Sequence, residues 1–180
     1  MINNVKKFNK SIKQTMDLDL DKIAITAPRQ HGSTHALLQM AYERSNDDNR
    51  ILVLSGETRQ ALSLREAYCD RYHKFDRQPS NVEFSTHQWV IHALRHKYKP
   101  VHATEIYIDC AGYCNLTEDD IKLLANYPGR VVLSNSTETT YYPSVNKWQS
   151  YETHPKSDKD LAKYHKRLRK AGFSVFEFVN

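Results

Sequence analysis

Residues 22–42, KIAITAPRQHGSTHALLQMAY, constrain the fold more than any other stretch. A β-rich run (Ile23, Ala24, Ile25, Thr26) enters a polar turn, and the turn opens directly into an apolar helix (Ala36, Leu37, Leu38, Met40, Ala41). No spare residues separate strand, turn and helix. A turn of this kind aims several backbone N–H groups, and the positive end of the helix dipole, at one anion. An ordinary strand–turn–helix connection that binds nothing is the competing reading.

The rest of the chain repeats the alternation. Residues 51–54 (ILVL) form a continuous apolar run, the pattern of a strand buried on both faces. Thr58 is placed to cap the next helix, on which Ala61, Leu64 and Tyr68 share a face. A short strand over 82–84 leads to a helix from Thr86 carrying Trp89, Val90, Ala93 and Leu94. Residues 105–109 (EIYID) are a β-rich run ending in an acid. Thr117 begins a capping sequence before Ile121, Leu123 and Leu124. Residues 130–134 read as another buried strand, with Ser134 and Asn135 at its end. A basic helix over 157–171 has Leu161, Tyr164 and Leu168 on its apolar side, and 175–179 make the last strand.

This order predicts a single-domain α/β three-layer sandwich, a mostly parallel sheet with helices on both faces. Ligands of such sheets bind beyond the carboxyl ends of the strands. Thr26, Ala27, Ser55, Asp109 and Ser134 all fall at such ends.

At 180 residues the chain suffices for one domain with a real core and is short for two. Hydrophobic residues at 39% and charged residues at 26% point to a soluble globular class, and no apolar run approaches the roughly 20 residues that span a bilayer. No membrane partner is expected. The basic start MINNVKKFNK lacks the apolar segment of a secretory signal. Three cysteines (Cys69, Cys110, Cys114) are an odd number, which fits a reducing cytoplasm, and Cys110 and Cys114 lack a second pair at metal-ligand spacing. His87, His92, His96 and His102 lack a matching carboxylate or cysteine and read as surface or satisfied histidines. The net charge of +5 is a mild basic bias. Lys163, Lys166, Arg167 and Lys170 recur at three- and four-residue steps, so a helix presents them on one side as a candidate nucleic-acid surface. A solvated helix face is the plainer account of the same row.

The loop from Ala27 to Thr34 aligns with the Walker A pattern G-x-x-x-x-G-K-[ST]. It resembles the APRQxGKT version of phage terminase motors and helicase-type ATPases. Gly32 and Thr34 match, Ala27 stands for the first glycine, and Ser33 stands where the lysine belongs. The resemblance implies a RecA-like core over most of 22–135. It implies a nucleotide held by Arg29, Gln30, His31, Gly32, Ser33 and Thr34, with Mg²⁺ on Thr34 and on Asp109 as the Walker B acid. Cys110 stands where helicases and terminases carry a glutamate. Ser134 and Asn135 take the place of the γ-phosphate sensor. Such cores also insert a strand, here 131–134, between the loop strand and the Walker B strand.

With both the lysine and the glutamate replaced, the resemblance implies a degenerate P-loop protein of phage type with weak or no hydrolysis. Its cofactor is ATP or another NTP with Mg²⁺, or none. Its partners are nucleic acid, or a host or phage protein in the host cytoplasm. Two alternatives stand beside it. One is an active ATPase that uses Arg29 for the lysine and Glu57 or Glu138 as base. The other is a nucleic-acid module without nucleotide, in which Tyr141, Tyr142 or Trp148 stack on bases. The expected division is an N-terminal leader over 1–20, with one modest helix over about 5–16, and the P-loop-like α/β domain over 21–180.

Overall fold

The computed structural model describes residues 10–28, 32–72, 81–96, 101–109, 116–136 and 158–178. Six strands form one sheet: β1 (Lys22–Ala27), β2 (Ile51–Ser55), β3 (Val82–Thr86), β4 (Glu105–Ile108), β5 (Arg130–Ser136) and β6 (Ser174–Glu177). Their order is β3-β2-β4-β5-β1-β6, and every pairing is parallel. Parallel neighbours need long crossovers, and α2 (Ser33–Arg44), α3 (Thr58–Tyr72), α4 (His87–His96), α5 (Glu118–Ala125) and α6 (Asp158–Lys170) lie between successive strands. Residues 10–16 form a further helix, α1, ahead of β1. Val132 of β5 lies beside Ile23 on one side and Tyr107 on the other, so β5 separates β1 from β4. That is the strand order implied by the RecA-like resemblance.

The apolar strands explain the three layers, because successive side chains of a strand point to opposite faces. Ile23, Ile25, Ala27, Ile51, Val53, Tyr107 and Val132 join one core with Ile12 and Met16 of α1, Leu37 and Met40 of α2, and Leu64 and Tyr68 of α3. Ala24, Leu52, Leu54, Ile106, Ile108, Val131 and Leu133 join the opposite core, with residues of α4, α5 and α6. Full burial of each large aliphatic side chain contributes about 1.5–3 kcal/mol, which suits strands with almost no polar residue in their middles.

Element ends follow local chemistry. Thr117 caps α5 in a reciprocal box with Asp120. Two expected boundaries move by one residue. Thr58 is the first residue of α3 rather than its cap, and Thr86 closes β3 before α4 starts at His87. Tyr141, Tyr142 and Trp148 lie outside the described residues, as do Arg29, Gln30, His31, Cys110, Cys114, Glu138 and Val179.

The amino end of the sheet is closed by charge. Glu105, at the start of β4, is buried. Its carboxylate accepts from Nε and Nη2 of Arg44 (2.7–3.0 Å), from the Tyr107 hydroxyl (2.5 Å) and from the Asn49 amide (2.8 Å). Arg130 Nε lies 3.8 Å from the same carboxylate. Burial works to raise the Glu105 carboxyl pKa, but the hydrogen bonds from Arg44, Tyr107 and Asn49 outweigh it and hold the group below its ordinary value. Arg130 also donates to the carbonyls of Met16 and Leu18, which ties the segment after α1 to this end. Gly129 is needed here, because a Cβ would strike the Thr104 carbonyl.

Candidate functional site

The carboxyl end of the sheet is built differently. Gly32 precedes α2 with φ 80°, a left-handed conformation that favours glycine. The Gly32 carbonyl accepts the Ala36 N–H and starts the helix. Gly32 offers no capping side chain and the first turn carries no acid, so no first-turn carboxylate competes for the amino end of α2. Ser33 and Thr34 are the first two helical residues, both half-buried.

Asp109 follows β4 directly and is buried. Its backbone N–H donates to the Leu54 carbonyl (2.8 Å), which fixes it beside the end of β2. The Thr34 hydroxyl donates to its carboxylate, 2.9 Å from Oδ1 and 3.1 Å from Oδ2. Two residues 75 positions apart therefore meet where the Walker resemblance places a shared Mg²⁺ site. An alcohol and a carboxylate oxygen are hard donors, and Mg²⁺ takes one or two such protein ligands together with water and phosphate. Thr34 and Asp109 thus fit the ion as a pair. Among the described residues no cluster of three or more His, Cys, Asp or Glu could hold a metal alone.

The strand alternation sorts the remaining candidates. Ser134 lies beside Ile25 and is buried on the α2 face, the face of Asp109. Asn135 lies beside Thr26 on the opposite face. It is buried, its Nδ2 donates to the Ile25 carbonyl (3.4 Å), and its Oδ1 has no partner among the described residues. The two residues read together as a sensor thus face opposite layers, and only Ser134 shares a face with the Thr34–Asp109 pair. Ser55 is buried at the end of β2 and donates to the Glu57 carbonyl (2.8 Å). Glu57 itself is exposed beside the start of α3. His87 is buried with Nδ1 3.2 Å from the Ser55 carbonyl, whereas His92 and His96 are exposed.

Lys163, Lys166, Arg167 and Lys170 are all exposed on α6, while Tyr164 and Leu168 are buried against the sheet. Sequence reasoning missed a third inward residue, His165, only 2% exposed. Its Nε2 lies 2.9 Å from the Thr26 hydroxyl and its Nδ1 2.9 Å from Glu177. The signal was present in the spacing. Residues 161, 164, 165 and 168 form the i, i+3, i+4, i+7 stripe of a buried helix face.

No family model matches the sequence, and no curated protein matches it. Among solved structures the chain is similar to the UvsW helicase from bacteriophage T4, at 14% identity and a TM-score of 0.59. The match covers 95% of this chain and 59% of that helicase, so the chain spans a little over half of its length. No described helix is long and apolar enough to cross a membrane. The described residues form a single α/β fold with six parallel strands in one sheet, the RecA-like fold that they share with that structure.

Proposed function

We propose that this protein is a degenerate P-loop domain that binds a nucleoside triphosphate with Mg²⁺, hydrolyses it weakly or not at all, and acts as an adaptor or regulator on nucleic acid or a protein partner. The observation that carries this reading is the Thr34 hydroxyl on the Asp109 carboxylate at the amino end of α2. A carboxylate beside a phosphate site repels a bare nucleotide. A divalent cation between them removes the repulsion, and Thr34 and Asp109 supply its hard ligands. Backbone N–H groups from Gly32 onward, together with Arg29, are left to hold the phosphates. Ser33 brings no charge to the β- and γ-phosphates, and Cys110 is no carboxylate base. Each such element is typically worth about 10²-fold in rate, so turnover is slow.

A thermal-shift titration tests this reading. ATP with Mg²⁺ raises Tm, ATP with EDTA raises it much less, and Asp109→Asn removes the difference. No shift at millimolar nucleotide sinks it. ATP turnover abolished by both Arg29→Ala and Asp109→Ala would establish the active ATPase instead. The exposed row Lys163, Lys166, Arg167 and Lys170 supports nucleic acid as the partner.

A further inference from the structure

Thr26 is fully buried one residue before the end of β1, on the strand that launches the loop. A buried hydroxyl needs a partner, and Thr26 takes His165 of α6. His165 in turn meets Glu177 of β6, and Arg169 Nη2, one turn further along α6, donates to the same Glu177 oxygen (2.9 Å). The main chain adds a tie, since the Phe178 N–H donates to the Thr26 carbonyl (2.8 Å). A leucine at position 165 would complete the apolar stripe of α6, so the imidazole is not there for packing. The chain Arg169–Glu177–His165–Thr26 begins at the exposed Arg169 of α6 (54%) and Glu177 of β6 (42%) and ends in the core at the foot of the loop.

We infer that this chain is a coupling relay, with His165 as a positioning residue, that carries phosphate occupancy of the basic face of α6 to the end of β1. The inference rests on the proposed nucleic-acid contact of α6, and it makes that contact regulatory for the loop.

The hydrogen-bond polarity shows how the relay works. A carboxylate only accepts, so Nδ1 carries the hydrogen toward Glu177, and Nε2 of the neutral ring accepts from Thr26. Burial lowers the His165 pKa, Glu177 opposes that effect, and Arg169 adds to it; from β1 the Thr26 hydroxyl faces the ring. A nucleic-acid phosphate on α6 competes with Glu177 for the Arg169 guanidinium. When Arg169 leaves, Glu177 acts on His165 alone, which favours the protonated ring more than when Arg169 is in place. In the protonated ring Nε2 donates, and Thr26 turns from donor to acceptor. The hydroxyl hydrogen needs a new acceptor, and Asn135, the register partner of Thr26 on β5, has a buried Oδ1 with no partner among the described residues. The end of β1 thereby moves between two hydrogen-bond patterns.

Amide hydrogen exchange over 22–28 tests the relay, with a single-stranded oligonucleotide added and no nucleotide present. In the wild type the oligonucleotide changes exchange at Thr26 and Ala27 several-fold. His165→Leu and Glu177→Ala still bind the oligonucleotide within about twofold, and the change at Thr26 and Ala27 disappears. His165→Gln, which keeps an acceptor for Thr26 but cannot reverse it by protonation, also loses the change. Glu177→Ala alters only a half-exposed side chain and keeps the test informative if the core variants fold poorly. An unchanged wild-type exchange pattern with oligonucleotide overturns the relay, as does a change that persists in the variants. If the pattern shifts as expected but ATP with Mg²⁺ does not bind, the relay stands and the nucleotide reading falls.

Discussion

The two ends of this one sheet follow opposite electrostatic designs. At the amino end the buried acid Glu105 meets Arg44 and, more distantly, Arg130, with Tyr107 and Asn49 completing its hydrogen bonds. At the carboxyl end the buried acid Asp109 meets the hydroxyl of Thr34 beside the amino end of α2. Charges paired inside the fold belong to stability. We propose that the acid beside the amino end of α2, which carries no acid in its first turn, accepts a cation and an anion from outside.

The largest expected effect breaks the amino end. Glu105→Ala leaves Arg44 and Arg130 without their carboxylate and costs about 3 kcal/mol of folding stability, read by urea denaturation, while nucleotide affinity of the folded protein stays within about twofold. The same end gives an acid limb. Because the folded carboxyl pKa lies below its ordinary value of 4.5, the stability Glu105 contributes is complete above that pH. It is lost as pH falls through the depressed value, so a pH series of denaturation midpoints drops there in the wild type and flattens in Glu105→Gln.

At the other end the balance of effects reverses. Asp109→Asn costs about 1–2 kcal/mol of stability, as expected for a weakened hydrogen bond to a charged group, yet abolishes Mg²⁺-dependent nucleotide binding. Ser33→Lys supplies the missing ammonium and tightens ATP binding about tenfold, or roughly 1.4 kcal/mol, without fast turnover. Rapid hydrolysis by that single variant would place a base elsewhere, with Glu57 the exposed acid nearest the end of β2. The smallest effect per residue lies on α6. Lys163→Glu, Lys166→Glu and Arg167→Glu together flatten the salt dependence of oligonucleotide binding by several units of slope. An unchanged slope marks the row as a solvated face.

The carboxyl end was the more legible in the sequence, and the reason is physical. Backbone-driven features write themselves locally: the apolar runs of β2 and β5, the strand–turn–helix at β1, and the acid closing β4 each lie within a few residues. The position of β5 between β1 and β4 followed from the resemblance those features carry. The amino-end cluster was hidden because Arg44, Glu105 and Arg130 come from three separate elements, and nothing local to Glu105 announces its partners. His165 was hidden for another reason. It sits among Lys163, Lys166 and Arg167, where charge drew the reading outward, although its spacing from Leu161 and Leu168 placed it inward. Thr26 was the missing clue, since a threonine in a fully buried strand requires a partner from the facing helix. Asn135 was grouped with Ser134 because they are adjacent, while strand alternation sends adjacent residues to opposite layers.

Calorimetric titration of ATP into the protein, with Mg²⁺ and then with EDTA, tests the central claim most directly when repeated on Asp109→Asn. The account predicts binding to the wild type with Mg²⁺, at least tenfold weaker binding without it, and equally weak binding by the variant under both conditions. Equal ATP affinity in wild type and variant, or no binding by the wild type with Mg²⁺ present, would contradict it.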